Sequence, residues 1–134
     1  MEYVYDAAGR LKDVIEPPLP GGNDYIAQFQ YDKNGNRSQL KYFHDGSKTG
    51  NTTSIGYTYN LDNMLVGFAT TGGPTFTLNN VALDGLGRLK GADETITKAD
   101  AGTISHSYIF AYDMRSQLTD ASISNINGGN WVAK

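Results

Sequence analysis

Asp6, Asp32, Asp84 and Asp113, with His44 and His106, are the residues of this chain whose types most invite a chemical role. Paired carboxylates can share acid and base work, and imidazoles at fixed helical spacing can hold a metal. Spacing argues against both here. Each aspartate follows an apolar-x-apolar triplet and stands three residues before Gly9, Gly35, Gly87 or Ser116, the first position of a tight turn, where a carboxylate accepts hydrogen bonds from the turn's own amides. The two histidines lie far apart in sequence and in no ligand-like interval, which suits surface or interstrand places. Asp32-Lys33-Asn34-Gly35-Asn36 alternates oxygen donors as a calcium loop does, but its glycine comes two places early and its twelfth position is Phe43 instead of Glu. Gly85-Leu86-Gly87 lacks the third glycine and the helix of a dinucleotide fingerprint, and neither a Gly-x-Ser-x-Gly elbow nor a phosphate loop occurs. No catalytic, cofactor-binding or metal-binding residue is assigned, and the expectation is that the chain is not an enzyme.

The elements that would position these residues repeat. Aligned on the acidic or amide residue after the triplet, five segments coincide: Tyr3-Val4-Tyr5-Asp6, Phe29-Gln30-Tyr31-Asp32, Tyr57-Thr58-Tyr59-Asn60, Val81-Ala82-Leu83-Asp84 and Phe110-Ala111-Tyr112-Asp113. The anchors 6, 32, 60, 84 and 113 recur at intervals of 24 to 29 residues, as a fixed motif alternating with loops of variable length does. Three residues on stand Gly9, Gly35, Asn63, Gly87 and Ser116. Asp or Asn suits the first position of a type I turn, and Gly or Asn tolerates a left-handed fourth residue, so each unit is expected to be strand, three-residue turn with a G1 bulge, strand. Ser116 fits that position worst. Leu11, Leu65, Leu89 and Leu118 follow two places later, whereas the second copy is expected to run longer and bring in Leu40.

Side chains alternate along a strand, so Tyr3/Tyr5, Phe29/Tyr31, Tyr57/Tyr59, Val81/Leu83 and Phe110/Tyr112 share a face. They are expected to form an aromatic ladder, with the leucines packed on it, as the core. Arg10, Arg37 and Arg88 follow the turn glycines and are placed to bridge neighbouring turns. Residues 16–22, 45–51, 70–74 and 94–102 are polar or punctuated by Gly and Pro and are expected to be surface loops. Thr97-Lys98-Ala99-Asp100-Ala101 has some helical character but is too short to stand alone.

Composition agrees. With 134 residues, 9 Tyr, 5 Phe and 16 Gly the chain fits one all-β unit. Its net charge of −3 and scattered cations offer no basic stripe for nucleic acid. Without cysteine there are no disulfides or thiolate sites, and no apolar run approaches the roughly 20 residues of a membrane-spanning helix.

Tyr3-Val4-Tyr5-Asp6-Ala7-Ala8-Gly9-Arg10-Leu11 and Tyr31-Asp32-Lys33-Asn34-Gly35-Asn36-Arg37 resemble the YD repeat of the Rhs family, with consensus Y-x-Y-D-x-x-G-R-L and a G-N-R variant. The later copies drift: Asn60 replaces Asp, Val81 and Leu83 replace tyrosines, and Met114-Arg115-Ser116-Gln117 replaces x-x-G-R. The resemblance implies a β-sheet wound in a spiral, as in bacterial Rhs toxins, shell-forming Tc toxin subunits, wall-associated proteins and teneurins, where the toxin spirals enclose a cleaved effector. The D-P-x-G plug motif of such shells does not occur in these residues, and the expectation is that the effector and its chemistry do not lie in this piece.

The expected architecture is therefore all-β: tandem hairpins in an antiparallel twisted or spiral sheet of about ten strands. Its units span 1–24, 25–54, 55–78, 79–104 and 105–134 and look excised from a longer array. The expected role is structural, a wall segment of a secreted or cell-surface bacterial protein, with flanking repeats and self-association through strand edges as partners, and without cofactors, nucleic acid or membrane insertion. The alternative is a module that displays loops 44–54 and 94–106 or Trp131 to a glycan or protein.

Overall fold

The computed structural model describes residues 1–16, 24–98, 102–125 and 129–133. They form eleven strands: β1 (Glu2–Tyr5), β2 (Leu11–Glu16), β3 (Asp24–Tyr31), β4 (Arg37–Phe43), β5 (Thr52–Tyr59), β6 (Leu65–Thr71), β7 (Thr75–Leu83), β8 (Leu89–Lys98), β9 (Gly102–Tyr112), β10 (Leu118–Asn125) and β11 (Gly129–Ala133). They lie side by side in sequence order in one antiparallel sheet, and β1 and β11 do not meet to close it. The fold class is all-β, as expected, with one strand more than two per unit.

The five turns share one backbone design. The anchor's N–H donates to the carbonyl four residues on, and its carbonyl accepts from the N–H three residues on, as in Asp6 to Arg10 (2.8 Å) and Gly9 to Asp6 (3.0 Å). Gly9, Gly35, Asn63, Gly87 and Ser116 all have positive φ. The second copy is not longer. Tyr31 pairs with Arg37 as Tyr5 pairs with Leu11, so Arg37 occupies the leucine position and Leu40 lies three residues deeper in the strand.

Every outgoing strand also carries a second irregularity, invisible in the sequence. Lys12, Ser38, Val66, Lys90 and Thr119, each six residues after its anchor, are skipped in the pairing. This bulge turns the leucine before it and the residues after it out of simple alternation.

The ladder is present as a row but is not a sealed core. Residues three before each anchor pair with those eight after it: Tyr3 with Val14, Phe29 with Leu40, Tyr57 with Phe68, Phe110 with Ala121. Successive incoming strands are thus two strand spacings apart, about 9.6 Å, too far for their rings to touch. Tyr3, Tyr5, Leu65, Leu89 and Leu118 remain exposed, and among the described residues the buried apolar side chains are Ile15, Ala27, Leu40, Phe43 and Ala92. The accessible surface is 8958 Å², against about 6,900 Å² for a compact monomer of this mass, as a single-layer sheet requires.

Connections between units differ from expectation in three places. Residues 94–98 and 102–106 are strand, because Thr95, Ile96 and Thr97 are β-branched and face Ser105, Ile104 and Thr103, with Thr97 and Thr103 hydroxyls 3.1 Å apart. Residues 17–22 and 99–101, expected in loops, lie outside the described residues. Glu16 ends β2, Thr70 and Thr71 both belong to β6, and the link to β7 is Gly72-Gly73-Pro74. The unit boundaries expected at 24/25, 54/55, 78/79 and 104/105 fall inside β3, β5, β7 and β9. Segment 44–51 folds back on the sheet: the Tyr25 amide donates to the Gly46 carbonyl, and Lys48 lies over the Tyr25 ring and 3.5 Å from buried Asp13, which also accepts from Gln28.

Candidate functional site: the column of turns

The antiparallel order sets all five turns along one margin of the sheet, and their anchors are engaged inward. The Asp6 carboxylate accepts from the amides of Ala8 and Arg10, both 2.9 Å, and from Arg10 Nε and Nη2, both 2.7 Å. Asp84 accepts likewise from the Leu86 and Arg88 amides and from Arg88 Nε at 2.6 Å. Asp32, Asn60 and Asp113 each accept from the amides two and four residues on. Asp6 and Asp84 are held below the usual carboxylate range, chiefly by the Arg10 and Arg88 amides, against an opposing push from burial. At Asp32 burial is the largest influence and acts upward, but the combined Asn36, Asn34 and Gly35 donors still lower the carboxyl. Carboxylates saturated by their own turn's donors are poor general bases.

The same groups join one turn to the next. The Arg10 guanidinium lies 4.5 Å from the centre of the Tyr31 ring and within 3.5 Å of the Asp32 carbonyl; Arg88 stands 4.6 Å over Tyr112 and reaches the Asp113 carbonyl alike. Between the second and third turns the Asn63 side-chain Oδ1 accepts from the Asn34 and Asn36 side-chain amides, 3.0 and 2.8 Å. Arg37, also expected to bridge turns, instead stands over Phe29 of its own hairpin at 5.2 Å, a result of its leucine-like position.

Tyrosine hydroxyls form a further joint, one not expected from the residue pattern. At three of the five anchors the preceding tyrosine donates its hydroxyl to a carbonyl of the previous unit: Tyr31 to Leu11 (2.8 Å), Tyr59 to Arg37 (3.1 Å), Tyr112 to Leu89 (2.8 Å). Each acceptor stands five residues after its anchor, just before the second bulge and beyond the end of pairing with the next strand, which starts at Asp13, Gln39 and Gly91. The phenol supplies the donor that the ladder no longer can. The signal was the recurrence of Tyr rather than Phe at that position. Leu83 breaks it, and at the same seam Met64 replaces the arginine.

His44 contacts Thr53 at 2.8 Å on β5, and His106 lies on β9 near Glu94, so the histidines do not share a site. Among the described residues, no three His, Asp or Glu side chains gather as a metal site would need. Trp131 lies in β11, and its side chain is outside the described residues. No protein-family model matches the chain, and no curated protein matches it.

Proposed function

We propose that this chain is a structural repeat module of the Rhs/YD type, a stretch of β-sheet wall for a shell or surface array of a secreted or cell-surface bacterial protein, without catalysis in this segment. The observation that supports this reading is the repeated joint between units, an arginine over the next tyrosine ring and that tyrosine's hydroxyl on the previous unit's carbonyl. Three of the four seams between hairpins carry the hydroxyl joint and two of them the arginine as well, repeated neighbour-to-neighbour contact of the kind a one-dimensional array uses. Both outer edges, β1 and β11, leave strand backbone unpaired by the sheet. Light scattering during size-exclusion chromatography over a wide concentration range tests the proposal: mass should rise with concentration as edges find one another, and a monomer at every concentration would refute the self-associating wall.

A binding module is the second reading, favoured by one row across the sheet: Tyr3, Val14, Ala27 and Tyr42 are successive cross-strand partners, with both tyrosines exposed. Two exposed rings about 14 Å apart suit a glycan chain. Saturable glycan binding lost in Tyr3→Ala and Tyr42→Ala would favour it over the wall.

A further inference from the structure

The row that pairs positions three before and eight after each anchor has at least one ring or leucine in four units, but Val81 and Ala92 stand there in the fourth. Asn80, with φ of 50°, sits in a bulge that leaves Val81 unpaired, and β6 and β7 share only two residue pairs, Phe68 with Leu78 and Ala69 with Thr77. The result is a cleft of about 340 Å³ lined by Leu65, Leu78, Val81, Leu89 and Phe110 around the small Gly67 and Ala92. That volume is near the lower end of the roughly 300–1,000 Å³ of small-molecule sites.

One end of the cleft is polar. Glu94 and Tyr108 line it, and the Glu94 side chain, only 16% exposed, accepts the Tyr108 hydroxyl at 2.5 Å. Among the described residues, the one ionisable nitrogen near that carboxylate is His106 Nδ1 at 3.4 Å, charged only when protonated. A shielded carboxylate with no permanent cation beside it favours a positive ligand group.

We infer that this cleft binds an aromatic organic cation, its ring taking the place of the absent fourth rung and its ammonium facing Glu94. The shape supplies the ring and the carboxylate supplies the charge; the inference is independent of the array reading. The ring would lie among Val81, Leu78 and Phe110, filling the row at the place that Tyr57 and Phe68 occupy in the preceding unit.

Phenethylamine is the probe, titrated into the full chain with chemical shifts followed by NMR, beside 2-phenylethanol, which lacks the charge, and propylamine, which lacks the ring. Saturable shifts confined to the cleft-lining residues are expected, with affinity roughly tenfold lower for either control and for Glu94→Gln. Val81→Phe should restore the rung and abolish binding while circular dichroism remains that of the wild type; should that variant not fold, Glu94→Gln decides alone. The inference is overturned by absence of saturable shifts, by equal affinity for phenethylamine and either control, by binding that persists in folded Val81→Phe, or by cleft shifts that follow protein concentration without the probe, which would mean that a second copy covers it.

Discussion

Tyr31→Phe isolates the joint between the first two hairpins. It removes the hydroxyl that donates to the Leu11 carbonyl at 2.8 Å but leaves a ring beneath the Arg10 guanidinium, so the cation–π contact survives. A net intramolecular hydrogen bond is worth about 0.5–1.5 kcal/mol, and the carbonyl at this bulge lies beyond strand pairing, so the cost should reach about 1 kcal/mol. For a chain of this length that lowers Tm by about 3–5 °C. The reverse experiment is more demanding: Met64→Arg with Leu83→Tyr installs the missing joint between the third and fourth hairpins and should raise Tm by a similar amount, with slower amide exchange in β6 and β7. Thermal melts by circular dichroism and hydrogen exchange read by mass spectrometry measure both. Wild-type Tm in Tyr31→Phe and Tyr112→Phe, or a rebuilt seam with unchanged exchange, would refute the claim that these hydroxyls join the units.

Ser116→Gly removes a non-glycine residue from φ of 65° and should stabilise by about 1 kcal/mol in urea denaturation, while Gly9→Ala, at φ of 77° with open space around it, should cost about the same. Gly67→Ala places a methyl 2.7 Å from the Leu78 carbonyl oxygen, forcing β6 and β7 apart; a loss of about 1–3 kcal/mol and faster exchange in those strands are expected from the same melts. Asp6, Asp32 and Asp84 have lowered carboxyl pKa values in the folded chain, so their contribution is complete above the ordinary value of 3.8 and disappears as pH falls below it. A pH series of melts should therefore be flat from 7 to about 5 and fall steeply below 4, with Asp6→Asn showing a shallower fall.

The turns were legible because their chemistry is local: a carboxylate or amide at the first position and a residue that accepts positive φ at the fourth determine the hairpin within five residues. Ser116 takes that conformation despite poor propensity because flanking β9 and β10 pair along seven positions. The bulge six residues after each anchor was not legible, since Lys12, Ser38, Val66, Lys90 and Thr119 share no property, whereas Arg37 and Leu40 were misplaced because the second turn has the same length as the others. The ladder misled for a spatial reason: residues adjacent in the repeat alignment are separated by an intervening outgoing strand. Residues 94–98 look like a loop in sequence because polar composition outweighs β-branching, whereas hydroxyl pairing across β8 and β9 makes polar residues good strand formers there.

The sparse pairing of β6 with β7 makes a perforation line across an otherwise continuous sheet. Under tension applied to the two ends, antiparallel strands separate bond by bond, as in a zipper, so the weakest seam opens at the lowest force. Here that seam divides three hairpins, β1 to β6, from two hairpins and β11, and the sheet should tear into those blocks before either unravels. Such a line also permits hinging: a stiff plate becomes two plates that fold against each other about β6 and β7, and curvature in any larger assembly would concentrate there instead of being shared among the strands.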